Sequence, residues 1–472
     1  MDKTNVMKQF EELSKVPRSS FNNEKIIDYC INWAGLHGFP VSCDEFGNVL
    51  ITKKAVKGQE ERPGLIIQGH LDMVPVCDAG VVHDWKNDPI DIYIDGDFYK
   101  AKGTTLGADD GVAAAIGFAL LEDESLKNPN LELLLTTDEE VGMLGVKDAD
   151  LTVLKGKNLI NIDSGPEGEF TVGCCGGKLM KAIVHEKYEK AAGYVAEIRI
   201  NGLTGGHSGM EITKERANAL KLMGEALYRV SLQGNTRICS LSAEGKDNAI
   251  SSEASCVIAA EVSPEDLKAI ISDTERKYRH IFRLTDPDLT ITAVDAHADK
   301  MLCMNESRAL AFLLHELPYG VQNFEQTLDT VESSVNLGLV ETDEKGVGIY
   351  VSIRSSVAER IEEMAGHVRD LCDICGARAE DQEKSYPAWL SDRDSKFLRK
   401  AMEIYKDYSG KDPVVSTTHG GLECGYIMAN SNIESIVAIG PDSWGEHTTS
   451  EKLSISSLNR TYEFVRRIVE KA

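Results

Sequence analysis

His70 and Asp72 stand two positions apart at the end of the apolar run LIIQGHLDMVPV, where a buried core would favour more valine. In a strand, residues i and i+2 project to the same side, so both side chains can face one site. Four further segments add groups of the same kind: Asp109 and Asp110 in the glycine-flanked GTTLGADDGVAAA, Asp138, Glu139 and Glu140 in TTDEEVGMLG, Asp163 in NIDSGPEG, and His447 in GEHTTSEK. Each alone reads more readily as a solvated acidic turn or a histidine in a loop than as a functional group. Five such clusters, all just after apolar strands, do not follow from solubility. Together they supply a mixed His/Asp/Glu shell sufficient for two divalent metals, zinc being favoured and cobalt or manganese the alternatives.

Groups so far apart in sequence need strand ends to bring them together. From about Asn22 to Leu154, apolar strand-like runs (GLIIQGH, LELLLTTDEE, then NLINIDS) alternate with helical stretches such as GVAAAIGFALLED. This predicts an α/β fold with a sheet flanked by helices on both faces. Near His185 the texture changes. Strand VAEIRINGL, a helix over 214–230, strands RICSLSA and SCVIAAEV and a helix over 264–283 form one β-α-β-β-α unit. A second follows in tandem: strand LTITAVDA, a helix over 307–317, strands VESSVNLGLVE and VGIYVSIRSS, and a helix over 358–374. The expected organisation is a catalytic domain of residues 1–184 and 383–472, interrupted by a duplicated α+β insert over 185–382.

The 472 residues exceed what one core usually organises, and the formal charge of -25 argues against nucleic-acid or anionic-membrane partners. The start, MDKTNVMKQFEELSKVPRSS, lacks the apolar centre of a signal peptide, and no apolar run approaches the roughly 20 residues that span a bilayer. A cytoplasmic protein is expected. Eleven cysteines scattered along the chain suit reduced thiols better than a disulfide framework. The pair Cys372 and Cys375 lies in a helix-periodic segment ending at Gly376 with no second pair nearby, and Cys174 and Cys175 read as small strand residues beside glycines.

GHLDMVPV, GTTLGADDG, TTDEEVGM, NIDSGPEGE, GLTGGHSGMEI and GPDSWGEHTTSEKLSI resemble, nearly end to end and in order, the motifs of the zinc-dependent aminoacylase and carboxypeptidase metallopeptidases. Within that group they look like the aminoacyl-histidine dipeptidase, or cytosol non-specific dipeptidase, branch. The resemblance implies hydrolysis of dipeptides, Xaa-His and broader, with two zinc ions. His70 and Asp163 would ligate one metal, Glu140 and His447 the other, and Asp109 would bridge them, with a cis peptide following Asp109. Asp72 would then hold the free nitrogen of His70. Glu139, pointing away from Glu140 in an extended chain, would serve as general base.

By the same resemblance His207 would stabilise the oxyanion, while Asn248 and Arg354 would hold the substrate's C-terminal carboxylate. In family members with a single β-α-β-β-α lid, the histidine and asparagine come from a partner subunit. The duplicated insert implies that one chain completes its own site, with a homodimer as an assembly still open. Ser251 and Gly420 depart from the family's usual proline and alanine, and both touch the expected substrate pocket. Deacylation of N-acyl amino acids or cleavage of tripeptides would use the same metal site. A catalytically silent binding protein would be expected to have lost the base or a ligand, and none is missing here.

Overall fold

The computed structural model describes residues 3–243, 245–326, 330–392 and 394–472. They divide into two compact units, Met1–Cys174 with Trp389–Thr417 and Leu422–Ala472, and Cys175–Ala388 with Thr418–Gly421.

The first unit is built on a nine-stranded mixed sheet. At its centre Leu131–Thr136, Leu65–His70, Asn158–Asn161 and Ser435–Ala438 lie side by side and parallel. Every residue of Leu65–His70 and of Leu131–Thr136 is buried, as expected of parallel strands covered on both faces. Helices Asn5–Leu13, Ala108–Glu122 and Ile455–Lys471 contribute to one continuous core with these strands. The helix Ala108–Glu122 is buried along nearly its whole length, and its small residues permit very close approach. A Cβ at Gly69 would collide with the Asp110 carboxylate and with Ala113, and one at Gly117 would collide with Leu133. Gly69 lets the start of the helix rest directly against the strand that ends in His70, and Gly117 lets a later turn rest against Leu131–Thr136.

The second unit contains two antiparallel sheets that share a four-strand order, the larger with one further edge strand, Gly320–Glu325. One runs Thr236–Ser242, Ala254–Ala260, Tyr194–Asn201, Thr290–Asp295; the other runs Gly320–Glu325, Thr330–Asp343, Gly346–Ser355, Gly176–Val184, Arg378–Tyr386. The duplication is nested rather than in tandem. LTITAVDA does not open the second module: Thr290–Asp295 pairs with Tyr194–Asn201 and closes the first. The opening strand of the second module is Gly176–Val184, which pairs with Gly346–Ser355 and Arg378–Tyr386. Each module therefore follows β-α-β-β-α-β, the second with the added strand Gly320–Glu325 after its first helix, and the first is inserted after the opening strand of the second. The unit's boundaries accordingly fall at 175 and 388, outside the expected 185 and 382, because the strands at both ends of the insert belong to its own sheet.

Local signals set the helix limits. Asn218 caps Ala219–Ser231 by accepting the amides of Leu220 and Lys221, and Ser263 caps Pro264–Ile281 with proline in its first turn. Gly376, with φ 75°, ends Ala358–Cys375. Within that helix the Cys375 thiol donates to the carbonyl of Cys372, the ordinary backbone contact of a helical cysteine.

Candidate metal centre

Three neighbouring parallel strands end at one edge of the first unit, and each delivers an acidic or imidazole group there. His70 is the last residue of its strand, Asp163 follows Asn158–Asn161 by two residues, and Glu139 and Glu140 follow Leu131–Thr136. This is the usual place for ligand sites in open α/β sheets. Glu139 and Glu140 lie beyond the end of the strand, and the Glu139 carbonyl accepts the amides of Gly142 and Met143, so the two glutamates open a turn. Asp109 sits at the start of Ala108–Glu122 with non-helical φ and ψ of -80° and 107°, and a cis peptide bond joins it to Asp110. His447 takes φ 62° on a loop between the short strands Ser443–Trp444 and Lys452–Ser454.

Five of these side chains, those of His70, Asp109, Glu140, Asp163 and His447, converge. Asp109 Oδ1 lies 3.0 Å from His70 Nε2, and Asp109 Oδ2 lies 3.1 Å from His447 Nε2. His447 Nε2 is also 3.0 Å from Glu140 Oε2, and His70 Nε2 is 3.9 Å from Asp163 Oδ1. Among the described residues, His70, Asp109 and Glu140 form one set with ligand atoms close enough to share a cation; His70, Asp110 and Asp163 form another. The Asp110 carboxylate, however, accepts the amides of His70 at 3.1 Å and Ala113 at 3.3 Å, so it braces the backbone. Glu140 Oε1 is buried without a hydrogen-bond partner. An acceptor desolvated in this way is costly unless a cation meets it. A carboxylate with one oxygen toward each histidine, flanked by two more carboxylates, fits a pair of divalent cations.

The electrostatics reflect the crowding of negative charge. Burial, reinforced by Glu140, Glu423 and Asp109 against the pull of His70, pushes the Glu139 carboxyl up to about 8. Burial and the neighbouring Asp109 push Asp163 well above the usual carboxylate range. Hydrogen bonds to Asp109 and Glu140 push the His447 imidazole up to about 10. For Asp109, burial alone would raise the carboxyl, but the bonds to His447 and His70 outweigh it and hold it low. The histidines are thus drawn toward protonation as counter-charges, a role that bound cations fill.

Several residues that hold this arrangement carry no sequence spacing that would single them out. Glu451 accepts the amides of Leu106, Gly107 and Ala108 at 2.7, 3.0 and 2.8 Å and that of Asp109 at 3.4 Å, gripping the turn that presents Asp109. It lies within the quoted GEHTTSEKLSI stretch, but only the fold shows what it binds. Buried Arg18 donates to the carbonyls of Leu71, Asp72 and Gly107, tying the same turn to the His70 segment. Glu423 is buried beneath the strand ends and accepts from Gln68 and Thr136, both at 2.6 Å. Asp72 meets His70 Nδ1 in two ways, with its backbone carbonyl at 3.1 Å and its carboxylate at 3.4 Å.

His207, Asn248 and Arg354 belong to the second unit. The amides of Gly209 and Met210 donate to His207 Nδ1 at 3.2 and 3.1 Å, which places the imidazole proton on Nε2. A Cβ at Gly209 would press on the His207 ring and on the Arg354 guanidinium, so the two side chains approach within one residue's width. Arg354 is buried, donates to the Tyr386 hydroxyl, and keeps its Nε without a partner. Asn248 is exposed, and its carbonyl accepts the Ser208 amide at 2.8 Å.

Residues 66–471 match the peptidase family M20/M25/M40. The cytosol non-specific dipeptidase of Escherichia coli K12 is 33% identical over 467 residues, covering 98% of this chain and 96% of that protein. The crystal structure of aminoacylhistidine dipeptidase from Vibrio alginolyticus is similar with a TM-score of 0.89 and 30% identity, covering 100% of this chain and 98% of that one. The aminopeptidase PepT structure from Bacillus cereus shares the fold at a TM-score of 0.58 and 16% identity, over 99% and 97% of the two chains. Among the described residues, no helix is long and apolar enough to cross a membrane.

Proposed function

The chain belongs to peptidase family M20/M25/M40, and on that premise we propose that it is a dinuclear metallopeptidase of the cytoplasm that hydrolyses dipeptides, Xaa-His among them. The observation that carries the reading is Asp109, whose two oxygens face His70 and His447. In this assignment His70 and Asp163 would hold one metal, Glu140 and His447 would hold the other, and Asp109 would be shared between them. Zinc is the expected metal, with cobalt and manganese as alternatives. When bound, the two cations supply Lewis acidity toward the scissile carbonyl and lower the pKa of water.

The chain's own groups do the rest. Glu139 takes the proton of the attacking water and passes it to the leaving amine. Its backbone is held by the Asp72 carboxylate, which accepts the Glu139 amide at 3.0 Å. His207 offers its Nε2 proton to the developing oxyanion, a role for which the tautomer set by two backbone amides is the required one. Arg354 and Asn248 hold the C-terminal carboxylate, Arg354 through a planar fork suited to it. A homodimer is the assembly to test by sedimentation.

A panel of unblocked dipeptides including Xaa-His, N-acetylated amino acids and tripeptides tests the reading, using metal-stripped protein with and without added zinc. Dipeptide hydrolysis that returns with zinc is expected. Preference for N-acetylated amino acids or tripeptides would move the substrate class while keeping the metal site. Activity indifferent to chelation would overturn the metallopeptidase assignment.

A further inference from the structure

Within the first unit lies a cavity of about 450 Å³ that Asp109 and Asp163 line at one side and whose other walls the catalytic assignment does not use. Its deep end is apolar, formed by Val112, Ile162 and Leu453, which are 5%, 1% and 0% exposed. Pro166, Pro441 and the indole of Trp444 continue the apolar wall outward. Of its two acidic groups besides Asp109 and Asp163, Asp110 is committed to backbone amides. The other is Glu446, exposed at the outer end.

The walls are set before any ligand arrives. The Glu167 amide donates to the Asp442 carboxylate at 2.9 Å, the Asp442 amide donates to the Ser457 hydroxyl at 2.8 Å, and the Ser454 amide donates to the Asp442 carbonyl at 3.0 Å. A Cβ at Gly440 would collide with the Ser164 carbonyl, so the loops carrying Pro166 and Trp444 lie in direct contact. One oxygen of Glu446 accepts the Ser443 hydroxyl at 2.5 Å, which orients the carboxylate and leaves its second oxygen for another donor.

We infer that this cavity receives the side chain of the residue on the amino side of the scissile bond, and that Glu446 favours a chain with an apolar stem and a cationic tip. The inference rests on the dipeptidase reading. In a dipeptide the Cα of the amino-terminal residue is bonded directly to the carbonyl attacked at the metal site, so its side chain is the one within reach of a cavity walled by Asp109 and Asp163. A buried aliphatic floor accommodates the methylenes of lysine, arginine or methionine, and a carboxylate at the rim meets an ammonium or guanidinium there. Glu446 is thus a specificity-determining residue.

Norleucine has the length of lysine without its charge, so the pair Lys-Ala and norleucyl-Ala isolates the rim. With the zinc-loaded enzyme, kcat/KM should rise at least about tenfold from Ala-Ala to norleucyl-Ala as methylenes enter the apolar pocket. Lys-Ala should exceed norleucyl-Ala by about two- to fivefold, the worth of a rim ion pair. Glu446→Gln should remove that excess while leaving norleucyl-Ala unchanged, and Glu446→Lys should reverse it and improve Glu-Ala. Because Glu446 is exposed, both variants are expected to fold, and melting temperatures equal to that of the wild type confirm it. Rates insensitive to the first side chain would overturn the pocket assignment alone. A lysine preference that survives Glu446→Gln would overturn the role of Glu446. Hydrolysis of none of these peptides would overturn the dipeptidase reading and the pocket together.

Discussion

The carboxylate of Asp72 accepts the backbone amide of Glu139 at 3.0 Å, while the same side chain lies 3.4 Å from His70 Nδ1. Its other oxygen takes the Ser20 hydroxyl at 2.8 Å and the Glu140 amide at 3.4 Å. One buried carboxylate therefore sets the ring of a proposed metal ligand and the turn that carries the proposed base. Burial would raise Asp72, yet these donors hold it below the usual carboxylate range. Disturbing Asp72 would disturb both neighbours, so the role of Glu139 is best tested at Glu139 itself.

Glu139→Gln should lower kcat by about 10²–10⁴-fold with two metals still bound. The amide is nearly isosteric but cannot take a proton from water. Steady-state kinetics with elemental analysis of the same preparation checks this. If Glu139→Gln lost metal while Glu140→Gln kept it, the two roles would be exchanged.

Asp109→Ala should lose more metal than His70→Ala after equal dialysis. Asp109 faces both histidines, so its removal takes an anionic partner from two cations at once and leaves them repelling across the gap. His70→Ala removes one neutral ligand. Equal metal content in the two variants would contradict the bridging assignment.

The α/β pattern and the gathering of acidic and imidazole groups after strands were legible because strand ends and acidic turns leave local traces, whereas the choice of His70, Asp109, Glu140, Asp163 and His447 among those groups came from the resemblance of the motifs. Arg18, Glu423 and Glu451 left none. A buried carboxylate bonded to amides 342 residues away, as Glu451 is to Asp109, looks in sequence like any surface glutamate. The nesting of the two modules was also hidden. Gly176–Val184 and Thr290–Asp295 are both strands by composition, and only pairing decides which sheet each one joins. The turn that Glu139 and Glu140 open was hidden as well, since it depends on backbone bonds that residue types alone do not reveal.

Glu451→Ala should weaken metal binding by about 10–100-fold, the usual scale for an outer residue that orients ligands. Leaving amides of a buried turn unpaired costs about 1–3 kcal/mol each when no water replaces the acceptor, so the melting temperature should fall as well. Glu451→Gln keeps one carbonyl acceptor and should fall between alanine and wild type. Calorimetric zinc titration of the three proteins decides the point, and equal affinities would show that the turn holds without Glu451.

Lys221 gives a pH prediction in the second unit. Burial lowers its ammonium to about 8, with Glu316 opposing, while Nζ donates to the carbonyl of Leu317 at 2.6 Å. The unfolded value is about 10.4. Between these values the unfolded chain holds more protons than the folded one, so this group's contribution to stability rises with pH across that window and is flat below it. The midpoint difference between wild type and Lys221→Met in guanidinium should shift in favour of wild type from pH 7.5 to 9.5. A constant difference would place the Lys221 value outside the window.

His207 and Arg354 should separate in kinetics. If His207 donates only to the oxyanion, His207→Ala removes an interaction made in the transition state. The loss should appear in kcat, at about 2.7–4 kcal/mol of barrier. If Arg354 holds the carboxylate in ground and transition states alike, Arg354→Met should mainly raise KM. The nested modules add a question of which chain supplies the histidine. His207 and Asn248 lie in the inner module and Arg354 in the outer one, and both modules are part of the same polypeptide. A chain carrying both should complete its own site. Mixing excess Glu139→Gln chains, with His207 intact, into His207→Ala chains under conditions that exchange subunits should therefore leave activity at the level of His207→Ala alone. Recovery well above that level would mean that the histidine acts between chains, and the self-contained site would be wrong.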